Sequence, residues 1–366
     1  MNILLLNRYD PAHPRAGGAE RFSLENMKRF VADGHSVTWF ASSFRDSVSE
    51  ETVDGVRIMR RGNRLSVIMH AWRHFRKEDG YDLVIDEMHA LPFMTPLYVP
   101  AEKRVLLIHE VAGVIWSYMT PLPVALIGRV VERLLLRLFY RTQPVLTVSK
   151  AGRDELVSCG IPSDMITVIP EGVSVSMVEA DKTERPSIVY FGGLRPLKRV
   201  EHQLVAVSLL KKEYPYLKMY ILGNDSSAYA RKLKKIVSQL KLDDRVEFTG
   251  FVPQDERDRI VASAWVTFGT SVKEGWGLAV AEAAALGTPA IVYPTPGNTE
   301  AVEHMETGLH TIAESPDKLA QAARKLFSED DFRQELSASA RKAANALTWE
   351  KSYHAFKDAV LSDGKA

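Results

Sequence analysis

Ser187-Ile188-Val189-Tyr190-Phe191-Gly192-Gly193-Leu194-Arg195-Pro196-Leu197-Lys198-Arg199 is an apolar run that ends in paired glycines and a cluster of cations. β-Branched and aromatic residues without polar alternation read as a strand covered on both faces, the condition of a parallel sheet. Helical-period residues follow, so the stretch is one strand–loop–helix unit. Just before it, Glu179-Ala180-Asp181-Lys182-Thr183-Glu184-Arg185-Pro186 is polar and ends in proline, which marks a linker. Towards the C-terminus the rhythm repeats, with strands expected near 217–222, 246–250, 265–269 and 289–293. Towards the N-terminus strands are expected near 2–6, 36–41, 82–86, 104–108, 144–148 and 166–169, the first two joined by a helix from about Ala19 to Asp33 that Gly34 closes. The class is α/β, with two doubly wound halves over 1–180 and 187–344 and a helical segment over 345–366. In such halves ligands are expected at the C-terminal ends of the strands, in a cleft between the domains.

Composition bounds the function. The 366 residues fit two domains, and 46% hydrophobic with 25% charged residues is globular. Forty-seven basic against 46 acidic residues leave a net charge of +1, without the footprint of a dedicated nucleic-acid binder. The single cysteine, Cys159, excludes an intramolecular disulfide and fits a reducing cytoplasm. The apolar stretch Ile3–Leu6 is too short for a signal peptide, and Leu122–Tyr140 is interrupted by Arg129, Glu132, Arg133 and Arg137, so no membrane span is expected.

Three loops could carry chemistry. Ala16-Gly17-Gly18-Ala19-Glu20 follows the first strand and opens a helix, where backbone N–H groups can meet a phosphate. The spacing is neither the dinucleotide fingerprint nor a Walker A loop, and a plain strand-to-helix turn is the alternative. The cations of Arg195–Arg199 suit a polyanionic ligand, or else a solvated loop. Lys273-Glu274-Gly275-Trp276-Gly277-Leu278-Ala279-Val280-Ala281-Glu282-Ala283 places Glu274 before a helix starting near Gly277 and Glu282 about five residues into it, roughly 7 Å along the axis. Amides between the two carboxylates can bind a diphosphate while the carboxylates accept sugar hydroxyls. Glu282 lies in an otherwise apolar helix, where a lone charge usually has a partner.

Gly-Gly-Ala-Glu at 17–20, Gly-Gly-Leu-Arg-Pro-Leu-Lys-Arg at 192–199 and Glu-Gly-Trp-Gly-Leu with Glu-Ala at 274–283 resemble the family 4 glycosyltransferases, as do Gly-Thr-Pro-Ala-Ile-Val at 287–292 and Pro-Gly-Asn-Thr-Glu at 296–300. The resemblance covers nearly the whole chain and implies a GT-B fold. That fold has two Rossmann-like domains facing across a cleft, and a C-terminal helix crossing back to the first. It implies a retaining transfer of a hexose from a nucleoside-diphosphate sugar to an acceptor hydroxyl. It also assigns residues: Glu274 to the donor-sugar hydroxyls, Glu282 to the ribose, Lys198 with Arg195 to the diphosphate. Gly18 and the amides of Gly277 and Leu278 would complete the phosphate cradle, Gly17, Gly275 and Trp276 would join the donor-binding set, main-chain groups at Phe251 and Val252 would meet the base, and His109 would stand at the donor sugar. The catalytic set is thus His109, Lys198 and Glu274. Many relatives have arginine where this chain has Gly193, which leaves Arg195 or Arg199 to replace it. Relatives also often show Asn-Gly-Val-Asp where this chain has Glu171-Gly172-Val173-Ser174, and Glu171 is given no role.

No Asp-x-Asp and no His-Glu-x-x-His occurs, so no metal or other cofactor is expected and charge is neutralised by cations and helix amides. His70 and His74 stand four apart and could share a metal, although a packing role is the plainer reading. From Arg57 to Lys77 there are seven Lys or Arg and no Asp or Glu, with Leu65, Ile68, Met69, Trp72 and Phe75 at near-helical spacing. Arg129, Arg133, Arg137 and Arg141 form a second basic row. Two ordinary helices with solvated basic faces, or docking on anionic headgroups beside a lipid-linked acceptor, would both look like this.

The expected protein is a cytoplasmic glycosyltransferase of polysaccharide or envelope-glycan assembly, either free or peripheral on the cytoplasmic face of the membrane. Its partners are a nucleotide sugar, UDP-linked before GDP-mannose, and a glycan or lipid-linked acceptor; no nucleic acid is expected. A nucleotide-sugar epimerase or hydrolase of the same architecture would turn over donor without acceptor, a binding module would show no turnover, and an oxidoreductase would need the missing glycine fingerprint.

Overall fold

The computed structural model describes residues 1–78 and 80–361, so the last five positions of the expected 345–366 segment lie outside the described residues. The chain divides into two compact units, Met1–Gly172 with the chain from Trp349, and Val173–Thr348.

The first unit is built on β1 (Asn2–Leu6), β2 (Ser36–Ala41), β3 (Glu50–Val53), β4 (Val56–Arg60), β5 (Leu83–Glu87), β6 (Arg104–Leu107), β7 (Val145–Thr147) and β8 (Ile166–Val168). Their order is β3-β4-β2-β1-β5-β6-β7-β8, and every pairing is parallel except β3 with β4. Ile3 to Leu6 are fully buried, which is why β1 reads as an unbroken apolar run. The β3–β4 hairpin is not among the strands expected from sequence. Its turn is Asp54-Gly55, both at positive φ (49° and 81°), the geometry Asp-Gly supplies between paired strands. That dipeptide was the available signal, masked by the charged residues of β3.

The helix Trp349–Leu361 belongs to this first unit and packs on the helix Gly18–Ala32. Phe30 meets Tyr353 edge-on at 5.0 Å and Phe22 lies 6.1 Å from Phe356. Arg29 pairs with Glu350 at 2.7 Å and the Tyr353 hydroxyl donates to Asp33 at 2.6 Å. Aromatic burial supplies the attraction and the flanking polar bonds fix the register.

The second unit holds β9 (Ser187–Phe191), β10 (Lys218–Leu222), β11 (Val246–Gly250), β12 (Val266–Gly269), β13 (Ala290–Val292) and β14 (Gly308–His310). The order is β11-β10-β9-β12-β13-β14, all parallel. The short edge strand β14 is again additional to the expected set.

The chain passes between units at Gly172/Val173, not within 179–186. Residues 173–180, assigned by sequence to the first domain, are secured to the second unit. Val173 N–H bonds the Leu347 carbonyl at 3.0 Å, Ser176 N–H bonds Asp258 at 2.7 Å, and Val175, Val178 and Ala180 pack against the cluster of Val189, Phe191 and Ala283. Lys182 then donates to the carbonyls of Ala264 and Gly287 at 2.7 and 2.8 Å. The polar residues of 179–186 and the proline that ends them gave that stretch the look of a linker.

Arg60 and Asp10 form a buried bidentate pair at 2.7 and 2.6 Å, and Glu51 also reaches Arg60. Their side chains are 1% and 0% exposed. Asp10→Ala leaves a buried guanidinium short of its main partner, and the expected loss is about 3 kcal/mol in urea unfolding. A loss below about 0.5 kcal/mol would show that Glu51 alone holds Arg60.

Candidate functional site

In the second unit the expected site residues gather at the C-terminal ends of β9 and β12. β9 runs into Gly192 (φ 131°), and Gly223, just after β10, has φ 147°. A Cβ on Gly223 would lie 2.2 Å from the Gly192 carbonyl oxygen, so only glycine lets these two strand ends approach. The loop then turns through Pro196–Lys198. Lys198 Nζ meets Glu274 Oε1 at 2.5 Å, and the Ser271 hydroxyl donates to the same oxygen. Thr270 Oγ1 ties the loops together by donating to the Lys198 carbonyl at 2.8 Å.

Arg199 is part of that framework. It sits at φ 49°, donates to the carbonyls of Thr270 and Ser271 at 2.7 and 2.9 Å, pairs with Glu314 at 2.7 Å and lies over the Tyr293 ring. Arg195 is exposed instead, and its Nε lies 3.3 Å from where a Cβ on Gly193 would stand. Of the two arginines, Arg195 is therefore the one that adjoins Gly193.

Gly277 (φ 71°) caps the helix Leu278–Ala285, and half-buried Gly275, Trp276 and Leu278 surround that start. The following helix, Pro296–Ala301, comes so close that a Cβ on Gly297 would lie 2.3 Å from the Glu274 carbonyl oxygen. The Pro-Gly-Asn motif thus fixes the height of Glu274. Glu282 is the fifth helical residue and 5% exposed. One partner that its burial called for is Arg257, 3.6 Å away, which also pairs with Asp258 at 2.6 Å and lies over the Phe191 ring. Sequence reasoning missed Arg257, since nothing local links it to Glu282. Phe251 projects its ring almost fully into solvent, while Val252 packs into the core beside Phe191.

The first unit places His109 two residues beyond β6, in a group of acids and histidines at the strand ends. His109 Nε2 lies 3.3 Å from Glu87 Oε1, and His109 Nδ1 3.9 Å from Glu171. His89 lies 3.2 Å from Glu20 and 3.8 Å from Glu87. Ser23 donates to the other Glu87 oxygen at 2.7 Å, and Phe22 stands edge-on to the His109 ring at 5.1 Å. Burial alone would raise the Glu87 carboxyl, but His109 and His89 overcome it and hold it at about 2. Burial would likewise lower His89, yet Glu20 and Glu87 push it up to about 10. Glu20, Glu87, His89 and Glu171 were not read from sequence as members of a site. Only the fold brings the loops after β1, β5, β6 and β8 together.

Gly17 departs from its expected use. Its N–H donates to Glu20 Oε2 at 2.7 Å, so in this arrangement the amide caps its own helix. His70 and His74 serve packing: His70 Nδ1 bonds the Ser66 carbonyl at 3.0 Å and His74 Nε2 the Tyr81 hydroxyl at 2.8 Å. Among the described residues no group of three or more His, Cys, Asp or Glu is placed to hold a metal ion. Cys159 is buried in the core beside Leu156 and Ile161. The basic stretch Arg57–Lys77 is less charged than its sequence: Arg57 and Arg61 pair with Glu50, and Arg60 with Asp10 and Glu51. Those acids come from outside the stretch, through the unexpected hairpin and the loop after β1.

Comparison with known proteins follows these two units. The chain is 30% identical over 212 residues to a D-inositol 3-phosphate glycosyltransferase of Nocardioides, a match spanning 54% of this chain but only 46% of that relative. It is 26% identical to a GDP-mannose-dependent α-(1-6)-phosphatidylinositol monomannoside mannosyltransferase of Mycobacterium tuberculosis, with 94% of each chain covered. The fold matches that of the Anabaena protein HepE in complex with UDP-glucose, with TM-score 0.76, 18% identity, and 99% of this chain and 100% of that one covered. The family model for Glycosyltransferase Family 4 matches residues 16–176 and that for Glycosyl transferases group 1 matches 176–343. With both models laid end to end on the two units, the chain belongs to the family 4 glycosyltransferases of GT-B fold.

Proposed function

We propose that this enzyme moves a hexose from a UDP-sugar to a hydroxyl of an acceptor, a lipid-linked saccharide or other envelope-glycan precursor, with retention at the anomeric carbon. The observation that carries the reading is the Lys198–Glu274 pair, held at the start of a helix that carries the buried Glu282. A bound diphosphate takes up the charge of Lys198 and Arg195 and faces the amides at Gly277 and Leu278. Glu274 then accepts a hydrogen bond from the sugar, and Glu282, positioned by Arg257, accepts one from the ribose.

Transfer breaks the bond from the anomeric carbon to the diphosphate oxygen and forms the bond to the acceptor oxygen on the same face. The acceptor proton passes to the departing diphosphate, so no protein nucleophile is required. Lys198 and the helix amides stabilise the negative charge that develops there without a metal ion. The resemblance assigns His109 to the donor sugar, and within its own unit the ring is held between Glu87 and Glu171.

GDP-mannose is the second donor reading, favoured by the named mannosyltransferase that matches at full length; the UDP-glucose complex of HepE favours the first. No helix among the described residues is long and apolar enough to cross a membrane. Action at the cytoplasmic face of one is part of the proposal, with Arg64, Arg73, Arg76 and Lys77 as the remaining cations of the Arg57–Lys77 face.

Substitution separates the two acids. Glu282→Ala removes a ribose acceptor and should weaken nucleotide binding about 10- to 100-fold. Glu274→Ala should lower kcat by about 100-fold or more while nucleotide affinity changes by less than about fivefold. Wild-type kinetics and affinity in both variants would contradict the assignment. A pH series tests the charge cluster of the first unit. His89 is held at about 10 against an ordinary 6.5, so its contribution is complete below 6.5 and is lost as pH rises through about 10. Glu87, held at about 2 against 4.5, contributes fully above 4.5 and less as pH falls towards 2. Thermal melts should therefore show an alkaline decline that His89→Gln flattens; an identical alkaline limb in the variant would refute the pairing.

A further inference from the structure

The helix Leu122–Leu135 faces the wrong way for a core helix. Its buried stripe is Ala125, Gly128 and Glu132, continued by Leu136. Its large apolar side chains point outward instead: Leu122, Leu126, Ile127, Val130, Leu134 and Leu138 are 66, 53, 64, 58, 48 and 67% exposed. At about 100° per residue the outward pole of the helix falls on Val130 and Leu134. Leu126 and Arg133 lie along one flank and Ile127 along the other, and exposed Arg137 and Leu138 follow in the π-helical turn Leu136–Tyr140.

The presentation is rigid. Glu132, fully buried, accepts from the N–H groups of Ala112 and Gly113 at 2.7 and 2.9 Å and from Trp116 Nε1 at 3.0 Å. Gly128 gives room to the Trp116 ring, since a Cβ there would lie 2.5 Å from Trp116 Cδ2. Arg129 closes the turn by donating to the Gly113 carbonyl at 3.0 Å and the Ser117 hydroxyl at 2.6 Å. The helix is clamped by its small and polar stripe, and its apolar face is left to water. Six large apolar side chains left exposed along one helical segment mark an interaction site.

Charge decides the occupant. The only acid of the helix is the buried Glu132, whereas Arg133, Arg137 and Arg141 are exposed. An apolar outward pole with a basic flank is the pattern of a helix lying in the plane of an anionic bilayer surface. The helix Val67–Lys77 supports the same plane. It packs over Leu4 and Val84, while the segment at Leu136 and Tyr140 packs over Leu106 and Val145. Strand register puts those four positions on one face of the sheet, so exposed Leu65 and Met69 with Arg64 and Arg73 lie on the side that the outward helix covers.

We propose that the face of the helix Leu122–Leu135 and its continuation to Arg141 docks on an anionic lipid bilayer, with Val130 and Leu134 among the acyl chains and Arg133, Arg137 and Arg141 at headgroup phosphates. The geometry stands apart from the donor chemistry; its use, bringing the enzyme to a lipid-linked acceptor, rests on the function proposed above.

Flotation of the purified full chain with phosphatidylcholine vesicles, with and without phosphatidylglycerol, tests it. The wild type should float with the anionic vesicles and lose binding as salt is raised. Leu126→Asn, Ile127→Asn and Leu134→Asn combined should reduce that binding about tenfold or more, and Arg133→Ser with Arg137→Ser should remove the preference for anionic lipid. These positions are exposed, and a cooperative thermal melt matching that of the wild type shows that each variant is folded. Absence of wild-type flotation, or equal flotation of the apolar variant, would overturn the proposal. So would a variant that turns a dimer into a monomer with vesicle binding unchanged, which would give the face to a second copy. Flotation as expected without nucleotide stabilisation in any variant would instead retain the docking face and refute the donor reading.

Discussion

The contact between Lys198 and Glu274 holds the proposed donor site together, because it joins the loop after β9 to the loop after β12 with opposite charges at one point. Each partner is aimed by something else. Thr270 fixes the backbone of Lys198, Ser271 shares the Glu274 oxygen, and the close passage of Gly297 under the Glu274 carbonyl leaves that residue one height. Arg199, which by sequence could have served the ligand, braces the loop through backbone carbonyls. A carboxylate and an ammonium held ready in this way offer one group to a sugar hydroxyl and the other to a phosphate, with little rearrangement when a ligand arrives.

The first unit uses charge differently. Glu20, Glu87 and Glu171 are each at most 5% exposed, and such carboxylates persist only with partners. His89 and His109 are those partners, and the mutual shifts of Glu87 and His89 express the same attraction from both sides. The network joins the ends of several strands, so it gives His109 a fixed ring orientation. The aromatic seam from Phe22 through Trp349 and Phe356 backs that network with the C-terminal helix.

What the sequence made legible follows from range. Inner strands such as β1, β2 and β9 showed as apolar runs because they are buried on both sides, and the helix beginning at Gly277 showed because glycine spacing and a lone glutamate are local. The β3–β4 hairpin was hidden by the charges that neutralise Arg57 and Arg61, and the segment 173–180 by alternation of Val with Ser in a stretch without regular structure. Arg257 opposite Glu282, Glu87 opposite His109 and Asp10 opposite Arg60 could not be read at all, since each pair is a meeting of distant loops. The exposed face of the helix Leu122–Leu135 is the reverse case. Its composition reads as core, and only the structure shows that the small residues are the ones inside.

The central claim is that a nucleotide sugar is held by cations and helix amides in the second unit. Thermal stabilisation by UDP, GDP and their common sugars, measured without and then with Mg²⁺, tests it most directly. At a ligand concentration about a hundred times Kd the stabilisation is about 2.7 kcal/mol, a clear rise in Tm. The account predicts such a rise with UDP or a UDP-sugar in the absence of Mg²⁺. A rise with GDP alone would move the donor to GDP-mannose and keep the site. No rise with any nucleotide, or one that appears only with Mg²⁺, would contradict it.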